Sequence, residues 1–318
     1  MLRKFAYNKI FRTTGMLLLL ILLILFPASK EYSLEDEKLV KTSSSIKKRE
    51  VFMLDKDNYI ARCKVDLLVD TSLDYAKKLI ELLIIGGKYE QKIPNGFKAI
   101  LPSDTKINSV KLNGNDITID LSNDFYELNK NNDIKAIEAL TYNLTTINDV
   151  SNVYINIDGN KLTYLPSSKV NVTQPFTRKD GINKSYDVTD YKGTSETTIY
   201  YVSKNNLGYY YVPVTKINND NREKIKIIVD ELTSSHIYET NLMSFLNYNT
   251  KLLDYNLNDD TLTLNFNNFL FDDSDKKSIL EEVIYSISLS VRDNYNVKEV
   301  IFTVNGNEIT KSVLKNIE

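Results

Sequence analysis

Two stretches of the chain alternate apolar and polar residues in the same order. In 107–125, INSVKLNGNDITIDLSNDF, every second position from Ile117 to Leu121 is apolar. In 252–270, LLDYNLNDDTLTLNFNNFL, the same holds for Leu262, Leu264 and Phe266. Ile117 and Leu262 are related by a shift of 145 residues (262 − 117). A period of two puts the apolar set on one face of a strand. The Asn/Asp/Gly break inside each stretch predicts a β-hairpin. The likeness extends in both directions. Val51-Phe-Met-Leu-Asp-Lys-Asp-Asn58 parallels Ile199-Tyr-Tyr-Val-Ser-Lys-Asn-Asn206. Val153-Tyr-Ile-Asn-Ile-Asp-Gly-Asn160 parallels Val300-Ile-Phe-Thr-Val-Asn-Gly-Asn307. A period near 150 residues is too long for a solenoid repeat, so the pattern reads as one duplicated domain.

The first copy, 50–165, predicts strands at Val51–Leu54 and Tyr59–Leu68. A helix follows with Thr71 as N-cap, Asp74 near it, and Leu73, Ala76, Leu79, Ile80 and Leu83 at helical spacing. After the hairpin, Asn132 or Asp133 opens a second helix bearing Ile134, Ile137, Leu140, Leu144 and Ile147. A last hairpin turns at Asp158-Gly159. The second copy, 195–314, repeats this order. Its helices are capped by Asp220 with Glu223 and by Asp273 or Ser274, and its last turn is Asn305-Gly306. Residues 166–194, rich in Ser, Thr, Asp, Lys and Gly, read as an interdomain linker, either free or packed against one domain. Helices interleaved with mostly hairpin-linked strands predict an α+β fold, two tandem copies of a sheet covered by two helices.

The N-terminus has a different pattern. Arg3, Lys4, Lys9 and Arg12 precede an unbroken apolar run, Met16–Phe26, and Glu31, Glu35, Asp36 and Glu37 follow it. Residues 1–28 are therefore a membrane anchor or signal segment, with the basic side cytoplasmic and the rest exported. Residues 29–49 read as a tether. No Cys directly follows the run, which excludes a lipid-anchored lipoprotein.

Composition removes several kinds of chemistry. The chain of 318 residues has one Cys and one His. Intrachain disulfides, Cys clusters, His-rich metal sites and Ser-His-Asp catalysis are thus excluded or nearly so. A formal net charge of −2 gives no basic field for nucleic acid.

The copies resemble the GerMN domain, the repeated unit of the GerM family of sporulation and germination proteins. The motifs are Leu101-Pro-Ser-Asp-Thr-Lys-Ile107, Ile117-Thr-Ile-Asp-Leu-Ser-Asn-Asp-Phe125, Ala139-Leu-Thr-Tyr-Asn-Leu-Thr-Thr146 and Val153-Tyr-Ile-Asn-Ile-Asp-Gly159. The second copy departs from them. Its Leu-Pro step is replaced near Asn247-Tyr248, and Asp120-Leu-Ser122 becomes Asn265-Phe-Asn267. The resemblance implies a non-enzymatic protein outside the cytoplasmic membrane. It implies an assembly factor for the channel complex between mother cell and forespore, with domains similar to the ring-building modules of secretion machines. The lipoprotein Cys usual in the family is missing here.

No residue is assigned as catalytic, cofactor-binding or metal-binding, and no cofactor is expected. Cys63 shares a strand face with Tyr59, Ala61, Val65 and Leu67, so it reads as core. His236 follows a helix, where a His is commonly structural. Asp120, Asp124 and Glu127 raise the paired carboxylates of an envelope hydrolase, but Asp120 alternates opposite the apolar face. Asp272, Asp273 and Asp275 read as helix capping. Tyr200, Tyr201 and Tyr209–Tyr211 should place some rings in solvent, which suits contacts with protein or glycan. The expected partners are the membrane, through the N-terminal segment, and other envelope or sporulation proteins. Peptidoglycan is the alternative partner, in a cell-wall glycan-binding module.

Overall fold

The structure is a computed structural model that describes residues 47–128, 132–190, 192–234, 240–273 and 277–314. The N-terminal segment, most of the tether, His236, Ser274 and Asp275 lie outside the described residues. Among those described, no helix is long and apolar enough to cross a membrane.

The first copy runs β1 (Lys47–Asp55), β2 (Ile60–Leu67), α1 (Ser72–Leu82), β3 (Phe97–Lys98), β4 (Ile107–Asn113), β5 (Asp116–Leu121), α2 (Asp133–Leu144), β6 (Asn152–Ile157) and β7 (Asn160–Lys161). Short strands β8 (Tyr164–Leu165), β9 (Val170–Asn171) and β10 (Ser185–Asp187) follow. The second copy runs β11 (Ser195–Asn205), β12 (Gly208–Asn218), α3 (Lys224–Thr233), β13 (Leu252–Asn258), β14 (Thr261–Phe266), α4 (Glu281–Asn294), β15 (Glu299–Val304) and β16 (Asn307–Val313).

Each copy builds a four-stranded mixed sheet, ordered β4-β5-β6-β7 and β13-β14-β15-β16. The outer pairs are hairpins, but β5 runs parallel to β6, and β14 to β15. A parallel pair needs a crossover, and α2 and α4 supply it. Register aligns the apolar rows. Ile117, Ile119 and Leu121 face Val153, Ile155 and Ile157, while Leu262, Leu264 and Phe266 face Val300, Phe302 and Val304. All twelve side chains are buried, each row in one core with residues of its crossover helix. The fold is α+β with two repeated units.

Helix starts differ from expectation in both copies: Asn132 stands at the N-cap of α2 but makes no side-chain cap bond. Thr71 caps α1, its Oγ1 accepting the Asp74 amide. Asp220 and Glu223 do not cap α3; the Asp220 carboxylate instead pairs with Arg222. Helix α4 begins at Glu281, behind Leu280, so Asp273 does not cap it either.

The first hairpins of the two copies share a third sheet. Its order is β10-β12-β2-β1-β3, with β11 on β12. The join between β2 and β12 has a single ladder pair, Arg62 opposite Tyr211. Pro213 on β12 has no N–H to extend it. Asn183 substitutes: its Oδ1 accepts the Ile60 amide at 2.9 Å, and its Nδ2 donates to the carbonyls of Ile60 and Pro213, both at 2.8 Å. The segment read as a linker, 166–194, thus reaches into the fold. It also buries Phe176 and Ile182 and sets the Gln174 amide on the backbone of Ile155 and Leu162.

The helices close the open edges of this sheet. Asn143 of α2 exchanges two hydrogen bonds with the Phe52 backbone of β1. At the matching place Ser290 of α4 accepts the Tyr200 amide of β11. Both helices therefore serve two sheets. This explains why every residue from Ala136 to Leu144 is buried, where a one-faced helix would keep a wet stripe.

Candidate functional site

The sequence candidates fall into structural roles. Asp120 Oδ1 accepts the Gly159 amide at 2.9 Å. Its counterpart Asn265 accepts the Gly306 amide at 2.9 Å. Each pins the turn of the last hairpin, where Asp158 and Asn305 have positive φ. The job needs an acceptor oxygen, which Asp and Asn both carry, so the exchange between copies conserves function. Ser122 and Asn267 repeat the same logic, accepting the amides of Lys106 and Lys251. Asp124 accepts the Ser122 hydroxyl, and Glu127 is exposed. Asp120 and Asp124 are thus engaged with different partners, the Gly159 amide and the Ser122 hydroxyl. Cys63 is buried, and burial pushes its thiol well above the usual range. The Asp272 amide donates to the Ser278 carbonyl, and the Ser278 amide to the Asp273 carbonyl. Among the described residues no group of His, Cys, Asp and Glu converges as a metal site.

The tyrosines are mostly interior. Tyr200, Tyr201 and Tyr210 are buried and Tyr211 is half-buried, which leaves Tyr209 as the exposed ring of the five. Alternation predicts one wet face only for a strand with one free face. Strand β11 is buried from Thr197 through Ser203, so its neighbouring rings are both covered. Tyr210 donates to the buried carboxylate of Asp55 at 3.0 Å. Tyr209 packs edge-on against Phe245, with Lys204 over its ring.

What the structure does assemble is a charged cluster at the junction of the two copies. Glu50 of β1 grips Arg292 of α4 through both oxygens, at 2.9 and 3.1 Å. Arg62 Nε of β2 lies 2.8 Å from the same carboxylate. Arg178, from the segment between the copies, pairs with Asp293 of α4 at 2.9 Å. It also donates to Thr145 Oγ1 and the Tyr142 carbonyl of α2, and its guanidinium stacks over the Tyr142 ring at 4.6 Å. Tyr200 donates to the other Asp293 oxygen at 2.7 Å. Burial alone would raise the Glu50 carboxyl, but Arg292 and Arg62 overcome it and hold the group well below the usual carboxylate range.

Chemically this cluster is a fastener. Arginine gives up no proton near neutrality, and both carboxylates are held by guanidinium groups. Sequence reading missed it. Its members sit in six separate stretches, and neither a lone Arg in a polar segment nor one at a helix end signals its partner.

The geometry agrees with what similar proteins show. Residues 50–163 and 198–310 both match the family model described as Germane: Sporulation and spore germination. The chain belongs to that family. It is 33% identical to the spore germination protein GerM of Bacillus subtilis (strain 168) over 270 residues, 83% of this chain and 73% of that protein. The solved tandem GerMN domains of the sporulation protein GerM from Bacillus subtilis superpose with a TM-score of 0.74 at 33% identity. They cover 83% of this chain and 92% of theirs. The repeats derived from periodicity are thus Germane repeats. The clamp at Asp120 and Asn265 and the fastener around Glu50 are how this member builds and joins them.

Proposed function

We propose that this protein is a non-enzymatic interaction factor for an envelope complex of sporulation or germination. Its N-terminal segment holds it to the cytoplasmic membrane, and the Germane repeats lie on the extracytoplasmic side. One observation carries the reading. The two repeats are bolted together by a shared sheet and a largely buried ion cluster. Such an arrangement fixes the spacing of two similar surfaces, which is what an assembly factor needs and a hydrolase does not. The outward rows of β5 and β14, Thr118 and Asp120 and then Thr263 and Asn265, are polar and only part-covered. They suit contacts with other proteins.

Photo-crosslinkers placed at Thr118 and Thr263 in cells test this. Adducts with other envelope proteins are the expected result, and adducts with none would overturn the reading. A reporter fused after Glu318 checks the orientation, since the basic residues lie before the apolar run. A cytoplasmic readout refutes the export. The second reading, a glycan-binding module, is favoured by Tyr209 and Tyr248, which are 46% and 79% exposed. Retention on muropeptides, lost on changing both to Ala, would support it.

A further inference from the structure

The duplication creates one feature that neither repeat has alone. Lys56 and Lys204 are equivalent residues at the tip of each repeat's first hairpin, Lys56 just after β1 and Lys204 next to the last residue of β11. Because the two hairpins share a sheet, both lysines come to line a single cleft of about 380 Å³. Asn95, Gly96, Asn205 and Asn206 complete its described walls. A volume above about 300 Å³ is in the range of small-ligand sites.

The walls are held in place. Asp55 Oδ1 accepts the amides of Asp57 and Tyr59, fixing the first turn. Asn205 Oδ1 accepts the Leu207 amide, and its Nδ2 donates to the Asn95 carbonyl, tying the second tip to the loop 94–97. That loop needs its glycine. Gly96 has φ +93, and a Cβ there would meet the Asn205 side chain at 3.0 Å.

The chemistry of the lining names the ligand. It holds two ammonium groups, three carboxamides and no carboxylate among its described residues. Asp57 touches Lys56 at 2.9 Å, and it is shared with Asn241. Lys204 has no described carboxylate partner and stands over the Tyr209 ring. A cationic cleft takes an anion, and Lys ammonium groups are point-charge partners for phosphate. Carboxamides both donate and accept, which matches hydroxyl groups attached to that anion. We infer that this cleft binds a phosphate ester of a small polyol, with Lys56 and Lys204 on the phosphate and the asparagines on the hydroxyls.

The test is calorimetric titration of the full chain in detergent at low ionic strength, where exposed charges are least screened. The probes are glycerol 3-phosphate, glycerophosphoglycerol and inorganic phosphate. Binding of either glycerol ester, tighter than inorganic phosphate, is expected. The monoester or diester arm then identifies the source as a free metabolite or a phosphodiester polymer. The double variant Lys56→Gln/Lys204→Gln should weaken it about tenfold or more, with an unchanged unfolding midpoint, because both side chains are exposed. Lys56→Arg/Lys204→Arg should retain binding. Failure of the wild type to bind either ester, or equal affinity in the Gln variant, overturns the inference. Equal affinity for inorganic phosphate overturns the polyol part.

Discussion

Replacing Glu50 by Gln tests whether the charged cluster fastens the repeats. The change keeps side-chain size and removes the charge between Arg62 and Arg292, both within 3 Å of its oxygens. Breaking one partner out of a buried ion pair costs about 3–5 kcal/mol. Here the side chains of Glu50, Arg62 and Arg292 keep 18%, 11% and 20% of their surface. Water screens part of the loss, so about 2–4 kcal/mol is expected. In a unit of this size that is a fall in melting temperature of roughly 5–12 °C. Urea unfolding gives the value, and a cycle with Arg292→Met isolates the pair. The second change should cost about 2 kcal/mol less when Glu50 is already Gln. The pH dependence provides a second check. The folded Glu50 carboxyl lies below its ordinary value of 4.5. Its contribution is therefore full above that pH and is lost as pH falls toward the folded value. The gap between wild type and variant should shrink steadily in acid below about pH 4.5. Equal urea midpoints for the two proteins at neutral pH would show that the cluster does not hold the repeats together.

Three further outcomes follow from the same structure. Burial pushes the Glu138 carboxyl up to about 7, against the Asn183 amide it accepts and the nearby Lys184 and Lys135. A raised carboxyl favours the folded state only while protonated. Wild-type stability should therefore decline as pH rises from 4.5 through about 7, by up to about 3 kcal/mol, and Glu138→Gln should flatten that slope in urea titrations. Ile119→Asp puts a charge into a fully buried row and should cost on the order of 3–5 kcal/mol, whereas Thr118→Asp on the part-covered face should cost a third of that or less; identical melts would mean the core face is misassigned. Asp120→Asn should leave both stability and sporulation phenotype near wild type, since Asn265 performs the same clamp, while Asp120→Ala should cost about 1 kcal/mol. A phenotype lost with Asp120→Asn in a folded protein would restore the carboxylate to a chemical role.

What the sequence determined by itself was local and repeated. The period-two rows at Ile117–Leu121 and Leu262–Phe266 could bury only one alternate set, because a strand's neighbours point apart. The turns at Asp158-Gly159 and Asn305-Gly306 were legible because positive φ selects those residues. The Thr71 cap was legible because its donor lies three residues away. The duplication followed from such signals occurring twice in one order. Tertiary structure decided whatever depended on a distant partner. Alternation could not say that β11 would be covered on both faces, so its tyrosines read as half-wet. Capping chemistry did not mark the starts of α3 and α4, where Glu223 and Leu280 stand at the ends without a side-chain cap bond. Polar composition marked 166–194 as a linker, free or packed; which of the two was decided by hydrogen bonds from Asn183 to β2 and β12, and from Arg178 to α2 and α4. Those bonds join residues 30 to 123 positions apart. No window along the chain contains both ends of such a contact, and the energy that places them appears only once the two sheets have met.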